Sequence, residues 1–492
     1  MAEINKKPTI GVLIILMVGT FFALLTNTLI NVALPTIMKE FDVSAATVQW
    51  LSTGYMLVNG ILIPTTAFLI SKYSKRKLFL IALVIFEVGT IIGCIAINFP
   101  MLLIARMIQA AGAATLLPLL MNILYTSFPP EKRGSAMGFF GLVMLFAPAI
   151  GPTLSGWIVQ NFDWHALFFM IAPIICIVWI MAYFKLHDNK ETTDSKIDVV
   201  SVILTAFAFG GILYGFSTAG NEGWGTASVY MPIIVGVIGL VLLIVRQYTL
   251  DKPMLDFRAY HSPMFALGSV IAVAINMSMF SGMLLLPMYL QNFRGVSAFH
   301  SGLVMLPGAI LMGLMSPISG RLFDKYGAKI LALVGLMILS VSSYFFTDLT
   351  STTSMMYIMV LYAIRMFGIS LVMMPAQTNA LNSLPASLIP HGTAINSTVT
   401  QVSGAIGSSL LITIMSNRTT IYVEEGMSEL HNSQIANVQD SMMQVKEQVT
   451  LQAGISGIND AFLVTTCVAV VACICSLFIK RKKKVKNETL TM

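Results

Sequence analysis

Apolar positions in this chain do not alternate with polar ones; they come in long runs. A helix needs about 20 apolar residues to cross the hydrocarbon core of a bilayer. Such stretches recur at roughly 12–34, 48–70, 78–98, 101–124, 136–159, 165–185, 199–219, 230–248, 264–289, 301–322, 328–347, 354–376, 393–416 and 459–479. The pattern predicts an all-α polytopic membrane protein with fourteen transmembrane helices. The first six and last six read as two halves, 1–190 and 259–492, with an inserted helix pair at 191–258. The N-terminus has a basic start like a signal peptide. Its apolar run, however, continues to about Ala33 without a small-residue cleavage site, so a retained first helix is expected.

One short segment occurs twice. Residues 67–76 read AFLISKYSKR and residues 320–329 read GRLFDKYGAK, with Leu69/Leu322, Lys72/Lys325 and Tyr73/Tyr326 identical in register. Each copy joins two long apolar stretches. A basic turn repeated between hydrophobic helices points to two related halves, an architecture found in secondary transporters, where substrate binds between the repeats.

Composition agrees with a lipid solvent. The 492 residues are 56% hydrophobic and only 10% charged, against about 25% charged in soluble domains. Charge also orients the chain. Of the 29 lysines and arginines, 23 fall in segments on the same side as the N-terminus, and four (Lys39, Arg294, Arg418, Lys446) fall on the other. Basic segments stay cytoplasmic, so both termini are expected inside. The net charge of +7 then needs no nucleic-acid partner, and the tail KRKKKVK (480–486) reads as an anchor at the anionic inner leaflet. The segment 417–458 is expected outside, as an excursion with some local helix or hairpin, either inert or a lid over the outer mouth. The five cysteines lie inside apolar stretches with neither metal-site nor disulfide spacing and read as small core residues. The 33 methionines, many in spans nine to twelve, suit either ordinary packing or a cavity that adapts to varied shapes.

Charged residues inside a span are costly and mark candidate functional sites. Three stand clearly inside: Glu87, Arg106 and Arg365. Arg106 and Gln109 share a depth with Asn27 and Asn31 of the first span, within about one helical turn. They read as a substrate or gating cluster, or as a structural interhelical network. Glu87 lies near mid-membrane and is the proton-coupling candidate, since burial makes a carboxyl easier to protonate; the alternative is a neutral acid bonded to a neighbouring helix. For Arg365, pairing with Glu87, binding of an anionic group and facing a watery cavity all stay open. The run GFFGLVMLFAPAIGPTLSG (138–156) places Gly138, Gly151, Pro152 and Gly156 along one helix. Small residues allow close backbone approach and proline removes a helical hydrogen bond, so this helix is expected to bend or seal against a neighbour.

These segments together resemble the major facilitator superfamily. Gly320, Leu322, Asp324, Gly327 and Lys329 match its cytoplasmic loop; RMIQAAGAATLLP (106–118) resembles its fourth-helix arginine motif. Residues 138–156 resemble the fifth-helix antiporter motif, with Ala147 and Ser155 replacing glycines. LTNTLINVALP (25–35) resembles the first-helix motif of the 14-helix drug:proton antiporters of the EmrB/QacA-like group. VQWLSTGYMLV, PPEKRGSAMG, FAPAIGP, SGRLFDKYG and MMPAQTNALNSLP bring the resemblance closest to the lincomycin-resistance-type multidrug exporters. Two aspartates of the pattern are replaced, by Thr26 and by Ser71. That leaves Glu87 as the carboxylate in the middle of a span, with Glu222, Asp198 and Asp460 at span edges.

The resemblance implies proton-coupled efflux of drugs or other amphipathic small molecules across the bacterial cytoplasmic membrane by alternating access. Thr26, Asn27, Asn31, Arg106, Gln109 and Arg365 would form the polar substrate or gating cluster, and Gly138, Gly151, Pro152, Gly156, Gly320, Asp324 and Gly327 the conformational motifs. Asp324 is expected to latch the outward-open form and to cap a neighbouring helix N-terminus. The expected partners are a drug-like small molecule, protons and the bilayer, with a monomer as the working unit. No cofactor, metal or enzymatic activity is expected. One alternative is an exporter or facilitator of an anionic metabolite that ignores the proton gradient, with Arg106 and Arg365 binding the substrate's charge. Another is a non-transporting membrane receptor or scaffold.

Overall fold

The computed structural model of the protein describes residues 10–187, 198–432 and 439–479. Lys6, Lys7 and the tail 480–486 lie outside the described residues, as do the side chains of Pro152, Glu429 and Asp440. Fourteen helical spans are long and apolar enough to cross a membrane. They are α1 (Ile10–Glu40), α2 (Trp50–Lys72), α3 (Lys75–Cys94), α4 (Phe99–Ser127), α5 (Pro130–Asn161), α6 (Ala166–Lys185), α7 (Val199–Ala219) and α8 (Ala227–Thr249), followed by α9 (Pro263–Phe293), α10 (Phe299–Tyr326), α11 (Ala328–Asp348), α12 (Met355–Asn382), α13 (Ala386–Ser428) and α14 (Lys446–Ser476).

Local chemistry sets where these helices begin and end. Ser74 accepts a hydrogen bond from the Lys77 amide at the start of α3, and Asn98 accepts from the Met101 amide ahead of α4. Each side chain satisfies a donor that the first turn leaves open. Pro263 follows the capping Ser262 at the start of α9, where proline's missing N–H costs nothing. Gly327 ends α10 at φ +81°, a conformation that suits glycine. Within α2, Pro64 falls in a single 3-10 turn, Ile63–Thr65.

Burial follows lipid rather than water. On α3, Ile81, Val84, Ile85 and Val88 are exposed while Ala82, Leu83 and Phe86 are buried. The exposed face is as apolar as the buried one, as expected where hydrocarbon is the solvent. α1 lies against α5 and α6, and α3 lies against α4 and α6. In the C-terminal part, α12 contacts α9, α10 and α11, and α13 lies against α9 and α14. α5 and α10 run together as the main seam between these two groups.

The inserted pair α7/α8 is held by glycines. A Cβ on Gly211 would lie 2.5 Å from the Pro232 carbonyl oxygen, and one on Gly236 would lie 2.6 Å from the Ile212 nitrogen. Asp198 clamps one end of the pair by accepting from Arg246 Nε and Nη2 at 2.7 and 2.8 Å. Those bonds hold its carboxyl down at about 2. The pair rests on α2, through Trp50 stacked on Tyr214 at 5.8 Å, and on α13, through Trp224 Nε1 donating to Thr413 at 2.7 Å.

The segment 417–458 is helical where it is described, in line with the local helix or hairpin expected there. The helix of α13 continues to Asn432 and that of α14 already begins at Gln439, so both helices run on well past their most apolar stretches. Arg418 donates to Asp460 at 2.5 Å, and Tyr422 donates to the same oxygen at 2.9 Å. Polar side chains there obscure the membrane signal without interrupting the helix.

Candidate transport pathway and its gates

Arg106 is fully buried and its guanidinium organises the N-terminal bundle. It donates to Gln109 Oε1 at 2.9 Å, to Asn27 Oδ1 at 3.2 Å and to the Leu51 carbonyl at 3.4 Å. The Tyr55 ring lies 4.2 Å from the charge centre, a cation–π arrangement. Gln109 passes the network on to Thr90 at 2.9 Å. Helices α1, α2, α3 and α4 therefore meet at one charged node. Three of the expected cluster, Asn27, Arg106 and Gln109, come together there. Asn31 instead accepts from Ser52 at 2.5 Å, and Thr26 bonds the Phe22 carbonyl of its own helix at 2.8 Å.

Arg365 stands apart, in the C-terminal bundle. It donates to Ser343 at 3.1 Å and to the Ser278 carbonyl and Ser281 hydroxyl at 2.5 Å each. Its Nη1 is buried without a hydrogen-bond partner, and a Cβ on Gly282 would lie 2.1 Å from that atom. The group thus fills the space left by a glycine. Neither arginine makes an ion pair among the described residues. Arg106 is held by side-chain amide oxygens, a backbone carbonyl and the Tyr55 ring, and Arg365 by two hydroxyls, a backbone carbonyl and the Phe462 ring at 5.6 Å, so a positive potential sits inside both bundles.

Glu87 is half-buried on α3 at the contact with α6. Its Oε1 accepts from Cys176 Sγ at 3.4 Å, and its Oε2 is buried with no partner. Val84, Ile85 and Val88 beside it are exposed, so the carboxyl lies near the lipid-facing edge of the N-terminal bundle.

At the end bearing the basic turns, Asp324 joins the two bundles. Its carboxylate accepts from the Gly134 and Ser135 amides at 2.9 Å each and from the Ser135 hydroxyl at 2.7 Å. This side chain from the last turn of α10 caps the N-terminal end of the helix running through α5, where the helix dipole favours an anion. Above it the two backbones touch. Cβ atoms at Gly320 and Gly138 would lie 2.1 Å from the Gly134 carbonyl oxygen and 2.7 Å from Pro317 Cα, and Ser316 donates to the Gly138 carbonyl at 3.0 Å. Gly151 fits against α1, where a Cβ would meet Thr28 Oγ1 at 2.1 Å, whereas Gly156 has open space beside it.

A second cross-link lies beside this seam. Tyr125 of α4 donates to Asn382 Oδ1 of α12 at 2.6 Å, and Arg133 Nη1 donates to Asn382 at 3.0 Å and to the Tyr125 oxygen at 3.2 Å. Sequence reasoning missed Tyr55, Thr90, Tyr125, Arg133 and Asn382. A signal for the α4/α12 pair exists: PLLMNILY (118–125) and PAQTNALN (375–382) share proline, asparagine and leucine in register. Tyr125 and Asn382 are the matching last positions of that repeat.

Comparison with known proteins agrees with the geometry. The Major Facilitator Superfamily profile matches residues 16–408. The MFS-type transporter YhcA of Bacillus subtilis is 45% identical over 99% of this chain and 96% of its own. The lincomycin resistance protein LmrB of Listeria monocytogenes is 42% identical over 95% of this chain and 96% of its own. The multidrug export protein EmrB of Escherichia coli is 27% identical over 85% and 83%. Among solved structures, the human organic anion transporter MFSD10 shares the fold, with a TM-score of 0.63 at 12% identity over 93% of this chain and 99% of that one. Fourteen membrane-length helices, a carboxylate-capped seam between two bundles and this agreement along the chain place the protein in the Major Facilitator Superfamily.

Proposed function

We propose that the protein exports drugs or other amphipathic small molecules from the cytoplasm in exchange for protons, as a monomer with both termini cytoplasmic. The observation that carries this reading is Asp324 seated on the start of α5. It joins the two bundles at one end of the membrane by bonds that a rocking motion can break and remake. The end it closes is the one bearing the basic turns, so the described conformation is shut towards the cytoplasm. The names of the LmrB and EmrB relatives support drugs as the substrate class. Within this reading Glu87 is the proton carrier, because it is a mid-span carboxyl with an unbonded oxygen and no cationic partner among the described residues. The anionic-metabolite alternative loses one of its two ligands, since all three of Arg106's nitrogens are already engaged within the bundle.

The test compares cells with and without the protein against a drug panel that includes lincomycin, with and without an uncoupler. Raised resistance that the uncoupler abolishes is the expected result. Resistance that survives collapse of the gradient contradicts proton coupling, and unchanged susceptibility to every drug contradicts export.

A further inference from the structure

The layer immediately above the Tyr125–Asn382 bond contains an unexplained buried group. Asn122 lies three residues before Tyr125 on α4, so it shares that residue's face about 4.5 Å nearer the membrane centre. It is 2% exposed, and its Nδ2 has no hydrogen-bond partner. Leaving a buried amide donor unmet costs about 1–3 kcal/mol, so a partner belongs there in some other state of the protein. In the repeat shared by α4 and α12 the position matching Asn122 is Asn379, half-buried and three residues before Asn382. Because Tyr125 and Asn382 touch across the seam, the two asparagines one turn above them stand at the same level in opposite bundles.

The surroundings define what such a pair can hold. The buried polar side chains of α4, α5, α10, α12 and α13 include hydroxyls, amides and arginines but no carboxylate among the described residues. Asn396 of α13 approaches the Met121 thioether at 4.0 Å in the same region. The nearby charge, Arg133, is already bonded to Tyr125 and Asn382. A fixed cation would find nothing to neutralise it. A neutral amide or hydroxyl would find amide donors and acceptors with polarizable methionine around them.

We propose that Asn122 and Asn379 form the floor of the substrate site and hold an uncharged amide or hydroxyl group of the exported molecule, one turn above the Tyr125–Asn382 bond that bolts the cytoplasmic end. The assignment rests on the export reading and specifies where and by what chemistry it operates. It makes Asn122 and Asn379 specificity-determining residues. Tyr125 and Asn382 are the bolt beneath them, parted when the site opens to the cytoplasm.

The experiment uses the full chain in proteoliposomes with two probes, radiolabelled lincomycin, rich in hydroxyls and carrying an amide, and ethidium, a permanent cation. Asn122→Leu and Asn379→Leu should each raise the KM for lincomycin about tenfold, equivalent to about 1.4 kcal/mol, with little change in maximal rate. Asn122→Asp should shift preference from lincomycin towards ethidium, and it carries the test if the leucine variants fail to insert. An unchanged KM in the leucine variants overturns the assignment, as does a fall in maximal rate alone or an unaltered preference in Asn122→Asp. These outcomes leave export itself standing. If the unsubstituted protein moves neither probe, the export reading fails and the floor assignment fails with it.

Discussion

At the scale of single residues, the two buried arginines and the lone mid-span carboxyl do different work. Arg106 spans three helices because a planar guanidinium offers donors in several directions at once. Lysine has the charge but not the fork. Arg106→Lys should therefore lower stability in detergent by about 1–3 kcal/mol through unmet amide groups at Asn27 and Gln109, read as a fall in thermal melting temperature; an unchanged melting temperature would contradict a structural node. Glu87 belongs to the proton question. Glu87→Gln keeps its shape and its bond from Cys176 but cannot release a proton, so drug-driven proton movement in proteoliposomes should be lost. Retained coupling would remove Glu87 from the mechanism. For Asp324, Asn keeps one acceptor for the α5 amides and loses the charge that the helix terminus favours, a weakening of about 0.5–2 kcal/mol. Asp324→Asn should insert normally yet favour the cytoplasm-open form, seen as faster alkylation of a cysteine placed at Ser135; normal efflux with unaltered alkylation would count against the latch.

At the scale of helices, the seam between α5 and α10 depends on what is missing from its surface. Gly320 and Gly138 let backbone touch backbone, and no side chain can swing aside to admit a Cβ there. Gly320→Val should leave the helices inserted while preventing cytoplasmic closure, so that efflux falls and the site stays open inward. Full efflux in this variant would mean that the seam closes elsewhere. The inserted pair is bound differently. Its Asp198–Arg246 clamp is partly exposed, so solvent screens it and its contribution is small. The sign of its pH dependence follows from the depressed carboxyl. The clamp's full contribution is present above the ordinary carboxylate value of 3.8 and fades only as pH falls through about 2. Docking of α7/α8 on α2 should therefore not change between pH 5 and 8, as judged by crosslinking of cysteines placed at Ser217 and Thr53, whose hydroxyls lie 3.4 Å apart. A pH-dependent yield in that range would point to a different clamp.

At the scale of the whole molecule, alternating access requires the cytoplasmic contacts to be made in one state and broken in another. A disulfide between cysteines at 125 and 382 should lock the bolt and abolish transport, with recovery on reduction. Transport that continues through the locked form would overturn rocking about this seam. Membrane-impermeant labels should reach cysteines at 75 and 482 from the same face of the cell envelope.

Much of this was legible in sequence. Long apolar runs announce helices because lipid cannot satisfy an open backbone, and the unequal distribution of lysine and arginine suggests which ends face inward. The copied turn at 67–76 and 320–329 pointed to the neighbourhood of Asp324, whose carboxylate caps the start of α5. The polar cluster was only half legible. Depth along a helix follows from counting residues, which brought Asn27, Arg106 and Gln109 to one level. Which way each side chain faces across a bundle depends on helix rotation, and that separated Asn31, Thr26 and Arg365 from the node. Local helix was expected in 417–458, but how far α13 and α14 extend was not, since a helix continuing past its apolar run leaves no hydropathy signal. What the sequence determined alone was the solvent and the number of crossings, because these depend on local composition and spacing. Only the tertiary structure decided which helices meet, that Tyr125 bolts to Asn382 and that Asn122 is left with an unmet donor, because such pairings depend on how separate helices turn and tilt against one another.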